Sequence, residues 1–152
     1  MRFKKFNDIE NIRHAKVEEK PIKHYTGNID EVHCSSPSKN TSAATKKEMV
    51  EMQGMFKQRN KAIEQSVKDH DPKAEYSIEK YLKENNLEIN KKDTNKILDI
   101  GSSIARTLKN KFERARPYQV AEATGMKFNI MPLESDSMKT PAYPSGHSLQ
   151  SR

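Results

Sequence analysis

Apolar positions along this 152-residue chain recur at helical spacing in three stretches and lose all periodicity elsewhere. Thr45-Lys46-Lys47-Glu48 has the form of a capping box. Met49, Met52, Phe56, Ile63 and Val67 follow it, predicting one helix that runs to about Lys68. Asp71-Pro72 restarts the chain. A second helix is expected from Lys73 to about Asn85, with Ala74, Ile78, Tyr81 and Leu82 on one side. Asp93 suits the cap of a third, whose stripe is Ile97, Ile100, Ile104, Leu108 and Phe112. Met49, Met52 and Met55 read as core packing.

Residues 1–44 carry no sustained period and are expected to be extended or disordered, with a short helix near residues 7–19. Cys34 to Ser42 has the composition of a polar linker. Residues 118–143, with Gly125, Pro132 and Pro141, read as a long loop in which Glu134 to Ser137 is exposed. The division is an N-terminal segment, 1–44, and an all-α domain, 45–152.

Composition sharpens this picture. Hydrophobic residues make up 33% of the chain and charged residues 32%, with a mean hydropathy of −1.01. That is a thin core for this length. No apolar run is long enough to span a membrane, which argues against an integral-membrane protein. The charged N-terminus lacks the apolar stretch of a signal peptide, and one cysteine, Cys34, forms no internal disulfide. Both point to a reducing, cytoplasmic setting. The net charge of +7 attracts phosphate esters, nucleic acids or anionic membranes alike. Lysines interleaved with Glu and Asp read as solvated helix faces rather than a nucleic-acid stripe.

The chemistry sits late in the chain. Lys109-x6-Arg116-Pro117 is followed, after 26 residues, by Pro144-Ser145-Gly146-His147. Arginine donates two parallel hydrogen bonds to phosphate oxygens, and lysine adds a point charge. Seven residues is about two helical turns, so Lys109 and Arg116 share a face if the helix runs that far. Pro117 disfavours helical geometry at Arg116, which places Arg116 at the helix end. Pro144-Ser145-Gly146 reads as a turn into a helix. There the Ser145 hydroxyl and the Gly146 amide can meet an anion, and the new helix would aim its positive end at it. His147 is the group in the motif suited to proton transfer near neutral pH.

These two motifs, in this order and spacing, resemble the first two signatures of the type 2 phosphatidic acid phosphatase superfamily. That group includes bacterial non-specific acid phosphatases and vanadium-dependent haloperoxidases. The resemblance implies a helical bundle, hydrolysis of phosphomonoesters through a phosphohistidine, and no metal cofactor. It implies that Lys109, Arg116, Ser145 and Gly146 bind the phosphate of a small-molecule substrate and that His147 is the general acid. The family's third motif, Ser-Arg-x5-His, carries the nucleophile. Only five residues follow His147, and Ser151-Arg152 comes too soon to be that motif. The chain is therefore expected to be part of a longer enzyme, incomplete at its C-terminal side, or a relative without turnover.

Two other readings compete. One is a vanadate-dependent haloperoxidase using the same pocket, which the small size and sparse aromatics disfavour. The other is a non-enzymatic basic module for nucleic acid, which explains the charge but not the paired motifs. A cysteine-phosphatase loop fails because Asn40 stands where Cys34-x5 requires Arg. His33-Cys34 lacks a second ligand pair at zinc spacing. His14, His24, His33 and His70 are scattered and expected at the surface. Arg114 is expected to face solvent or a carboxylate such as Glu113; Tyr118 has two readings, lining the substrate cleft or packing at the helix end, of which packing is preferred. Sequencing the coding DNA beyond codon 152 is expected to give a Ser-Arg-x5-His some tens of codons on; an in-frame stop directly after Arg152 overturns the longer-enzyme reading.

Overall fold

A computed structural model describes residues 9–19, 27–73, 75–130 and 132–150. The chain is all-α over these residues. Six α-helices follow in order: α1 (Ala43–Phe56), α2 (Lys61–His70), α3 (Tyr76–Glu84), α4 (Lys91–Phe112), α5 (Pro117–Thr124) and α6 (Gly146–Gln150). Two 3₁₀ turns, Ile29–Glu31 and Asp136–Lys139, complete the set. Extended backbone pairs once among the described residues, in an isolated bridge between Arg13 and Arg114. No helix among the described residues is long and apolar enough to cross a membrane.

The long helix expected from Thr45 to Lys68 is two helices. Asn60 takes extended backbone, and its side-chain oxygen accepts from the Ala62 and Ile63 amides, so a new helix starts there. Arg59, paired with Glu64 at 2.7 Å and set over the Phe56 ring, braces the break. The first helix also begins earlier than the Thr45 box. Ser42 caps it by accepting from the Thr45 amide, while the buried Thr45 hydroxyl donates to the Lys39 carbonyl. Asn90, not Asp93, caps α4, and Asp93 lies in its first turn.

The segment 118–143 is not one long loop. Pro117 opens α5 at a position where the missing amide costs nothing, and Gln119 to Thr124 contains no helix breaker. Gly125 ends α5 with a φ of 66°. Arg116 has φ −71° and ψ 151°, the extended geometry its proline demands. The helix itself stops sooner, at Phe112, where Glu113 turns left-handed.

The core is small and rich in alanine. Met49 of α1 meets Ala115, Val120 and Ala121 at the α4–α5 junction, with Ile12, Met126 and Phe128 packed around them. Ala105 and Leu108 of α4 are also buried. Met52 and Met55 are largely exposed, so Met49 alone of the three is core. Ile63, Val67, Ile78, Tyr81 and Ile97 are likewise exposed, Ile97 at 66%. The stripes exist, but α2 and α3 pack chiefly on each other. His70 and Tyr76 meet edge-to-face, and His70 Nε2 contacts the Ser77 hydroxyl at 2.9 Å.

The described part of the N-terminal segment is extended apart from Ile9–Glu10 and the 3₁₀ turn, rather than helical through 7–19; residues 1–8 and His24 lie outside the described residues. It is docked on the helices. Asn110 acts as a surrogate strand edge: its Oδ1 accepts from the Val17 amide and its Nδ2 donates to the Val17 carbonyl, at 2.9 and 2.8 Å. The His14 amide donates to the Glu113 carbonyl at 2.9 Å. His14 is therefore buried, contrary to its expected exposure, because the bridge at Arg13 carries it under the chain. Asn40 Nδ2 donates to both the Ile9 and Ile12 carbonyls.

Asn110→Ala is expected to destabilise the fold by about 1–3 kcal/mol, because both polar groups of Val17 lose their partner. Urea unfolding measures this. Limited proteolysis should then cut within residues 12–19 before the helices.

Candidate functional site

A cleft of ≈ 690 Å³ lies between α4, the 136–142 segment and the start of α6. Lys109, Arg116, Ser145, Gly146 and His147 all line it. Residues from two motifs, 36 positions apart from Lys109 to Ser145, thus reach one space.

Lys109 occupies the last turn of α4, inside the helix and on its inner side. It is 8% exposed, and its Nζ donates to the Pro141 carbonyl at 2.5 Å. Burial, then the nearby Arg116 charge, pulls its pKa down from 10.5 to about 8. Arg116 stands beyond the helix, in the linker before α5, so the two cations do not share one continuous helix face. The linker nonetheless returns Arg116 to the same cleft. Its Nε donates to the Thr140 carbonyl at 2.8 Å, and its Nη2 to the Ser137 carbonyl and the Thr140 hydroxyl. Burial lowers its pKa too, while Tyr118 and Asp71 oppose that shift. Its backbone amide donates to Gln119 Oε1 at 2.8 Å, which holds the linker in place.

These bonds leave spare donors. The Lys109 ammonium has used one of three N–H groups, and Arg116 Nη1 forms no hydrogen bond among the described residues. The carbonyls of 137–141 thus orient both cations without neutralising them.

The second motif arrives on α6. Gly146 approaches α4 closely enough that a Cβ would lie 3.9 Å from the Ala105 Cβ. Gly101 makes room for Gln150, whose Nε2 donates to Ser102 Oγ at 2.8 Å. Small residues on α4 therefore set the distance between the two motifs. Ser145 caps α6: its Oγ accepts from the Ser148 amide at 3.3 Å, and its own O–H stays available. His147 Nε2 lies 3.0 Å from the Asp71 carbonyl. A carbonyl can only accept, so Nε2 carries a proton and Nδ1 is the ring atom with no partner among the described residues.

Asp71 is a site residue that sequence reasoning took for a simple chain restart. It caps the C-terminus of α2, orients His147 through its carbonyl and places a carboxylate near Arg116. No local pattern encodes this, because the partners are 45 and 76 residues away. Tyr143 is another. Its hydroxyl donates to the Ser35 carbonyl at 2.8 Å and accepts from Cys34 Sγ at 3.4 Å, while its ring meets Phe112 edge-on. Cys34 therefore ties the N-terminal segment to the loop before Pro144 instead of idling in a linker. Arg114 faces a carboxylate, as expected, and the partner is Glu48 of α1 at 2.9 Å. Tyr118 is partly exposed and lines an adjoining groove of ≈ 910 Å³, which shares Asp71, Pro72, Asp136 and Ser137 with the cleft.

The cleft is not uniformly positive. Lys73, Arg106, Lys109 and Arg116 line it together with Asp71, Glu75, Asp99 and Asp136. Any anion preference rests on local donors rather than on a long-range field. Comparison with models of protein families, with curated proteins and with solved structures finds no match to this chain.

Lys109 gives a signed pH dependence. The unfolded chain keeps its proton to about 10.5, whereas the folded chain releases it near 8. Between these values the unfolded state binds more protons, so this group's contribution to stability rises with pH and is least favourable below pH 8. The stability difference, wild type minus Lys109→Met, is expected to rise from pH 8 to 10.5 in urea unfolding. A flat difference would mean that Lys109 titrates normally.

Proposed function

We propose that this chain carries the phosphate-binding and proton-donating part of a phosphomonoester hydrolase of the type 2 phosphatidic acid phosphatase superfamily. One observation carries the reading: the two motifs, separate in sequence, line the same cleft. Chance occurrence of each motif would not require that they meet.

Charge moving onto the equatorial oxygens of a transferring phosphoryl group needs fixed donors. Lys109 and Arg116 are such donors, held by the 137–141 carbonyls with N–H groups to spare. The Ser145 hydroxyl and the Gly146 amide add neutral ones. In the reaction a nucleophilic histidine nitrogen attacks phosphorus and the bond to the leaving alcohol breaks. That oxygen takes a proton from His147, and Nδ1 is the atom left to deliver it. Water then cleaves the P–N bond, with His147 accepting a proton from it. The nucleophile belongs to a Ser-Arg-x5-His segment, and none occurs in these 152 residues. The cations do the neutralising, so the step requires no metal.

The 152-residue chain is therefore expected to bind inorganic phosphate or vanadate without turning over a phosphomonoester. Isothermal titration with phosphate should show one saturable site. Arg116→Ala should weaken it by about tenfold or more, the loss of one charge-assisted pair. Binding that is absent, or indifferent to both Arg116→Ala and Ser145→Ala, would overturn the assignment.

A further inference from the structure

Of the four cations around the cleft, Arg106 differs from Lys109 and Arg116 in what holds it. Those two are tied to backbone carbonyls. Arg106, half-buried in the wall of the same cleft, forms no hydrogen bond or ion pair among the described residues. Carboxylates are near at hand. Asp99, two turns earlier on the same face of α4, and Glu75 across the cleft both line it, and neither pairs with Arg106. A guanidinium in a cleft wall with no partner is a donor set awaiting an acceptor.

Its position states what that acceptor must be. Arg106 precedes Lys109 by three residues on α4, so it sits on the same face, about 4.5 Å further along the axis. The Lys109 ammonium and the Arg106 fork are therefore rooted about one helical turn apart. That offset exceeds the span of a single tetrahedral phosphate and suits a neighbouring anionic group on the same molecule.

We infer that Arg106 reads a second anionic group of the substrate, so the cleft selects phosphorylated compounds that carry another phosphate or a carboxylate next to the reacting one. The inference rests on the phosphate-site reading above and narrows it. Simple monoesters of neutral alcohols leave Arg106 unpaired and gain nothing from it. The mixed charge of the cleft strengthens the point, because without a general positive field the second group must be met by a specific cation.

Inorganic phosphate and pyrophosphate are the probes, titrated into the full 152-residue chain at one salt concentration. Pyrophosphate is expected to bind about tenfold more tightly than phosphate. Arg106→Gln should erase that advantage and leave phosphate affinity within about twofold, while Arg106→Lys restores part of it. Arg116→Gln should weaken both probes. Equal loss of both probes in Arg106→Gln, or no change in either, overturns the role given to Arg106 while the phosphate site stands. Failure of wild type to bind either probe overturns the site and the inference together. An unchanged melting temperature of Arg106→Gln guards against misfolding, and if it falls, Arg106→Lys alone decides: retained pyrophosphate preference supports the role and its loss with intact phosphate binding refutes it.

Discussion

Lys109 and Arg116 place two positive charges close together in a space largely withdrawn from water. Like charges so placed repel, and each pays for desolvation. The structure answers with backbone carbonyls: Pro141 accepts from Lys109, and Ser137 and Thr140 accept from Arg116. Neutral acceptors stabilise both cations without cancelling the charge that an anion would seek. The same bonds tie the segment after α5 to α4, so the site and the local fold depend on one set of contacts. Pro141 is fully buried as a consequence.

Around this tie the packing is close but sparse. Ala105 and Gly101 allow α6 to lie directly on α4, and the core at Met49, Ala115, Val120 and Ala121 is built of small side chains. Much of the larger apolar surface, at Ile78, Tyr81, Leu87 and Ile97, stays exposed. Polar clamps compensate for the thin core. Asn110 fastens Val17 to α4, while Asn40 on Ile9 and Ile12 and Tyr143 on Ser35 join non-helical segments to one another.

The placement of His147 depends on a third region. His147 is oriented by the carbonyl of Asp71, at the end of α2, so the cleft draws on α2, α4, the α4–α5 linker and α6. Arg106 is a cation without a partner among the described residues, in a cleft lined by as many carboxylates as cations. What the cleft offers an anion is its spare donors rather than a surplus of charge.

By itself the sequence determined the helical character, the place of Arg116 just before a proline, and five of the residues that line the cleft. These are local properties: period, proline sterics and motif order act over a few neighbouring positions. Tertiary structure decided what lies beyond that range. It split the 45–68 stripe at Asn60, found a helix after Pro117, buried His14, brought Asp71 and Arg106 to the cleft, and tied Tyr143 to Ser35. Asn60 and Pro117 carried cap signals that the stripe and the nearby glycine and prolines masked. His14, Asp71 and Tyr143 act through partners remote in sequence, and a pairing that spans 76 or 108 residues leaves no local pattern to read.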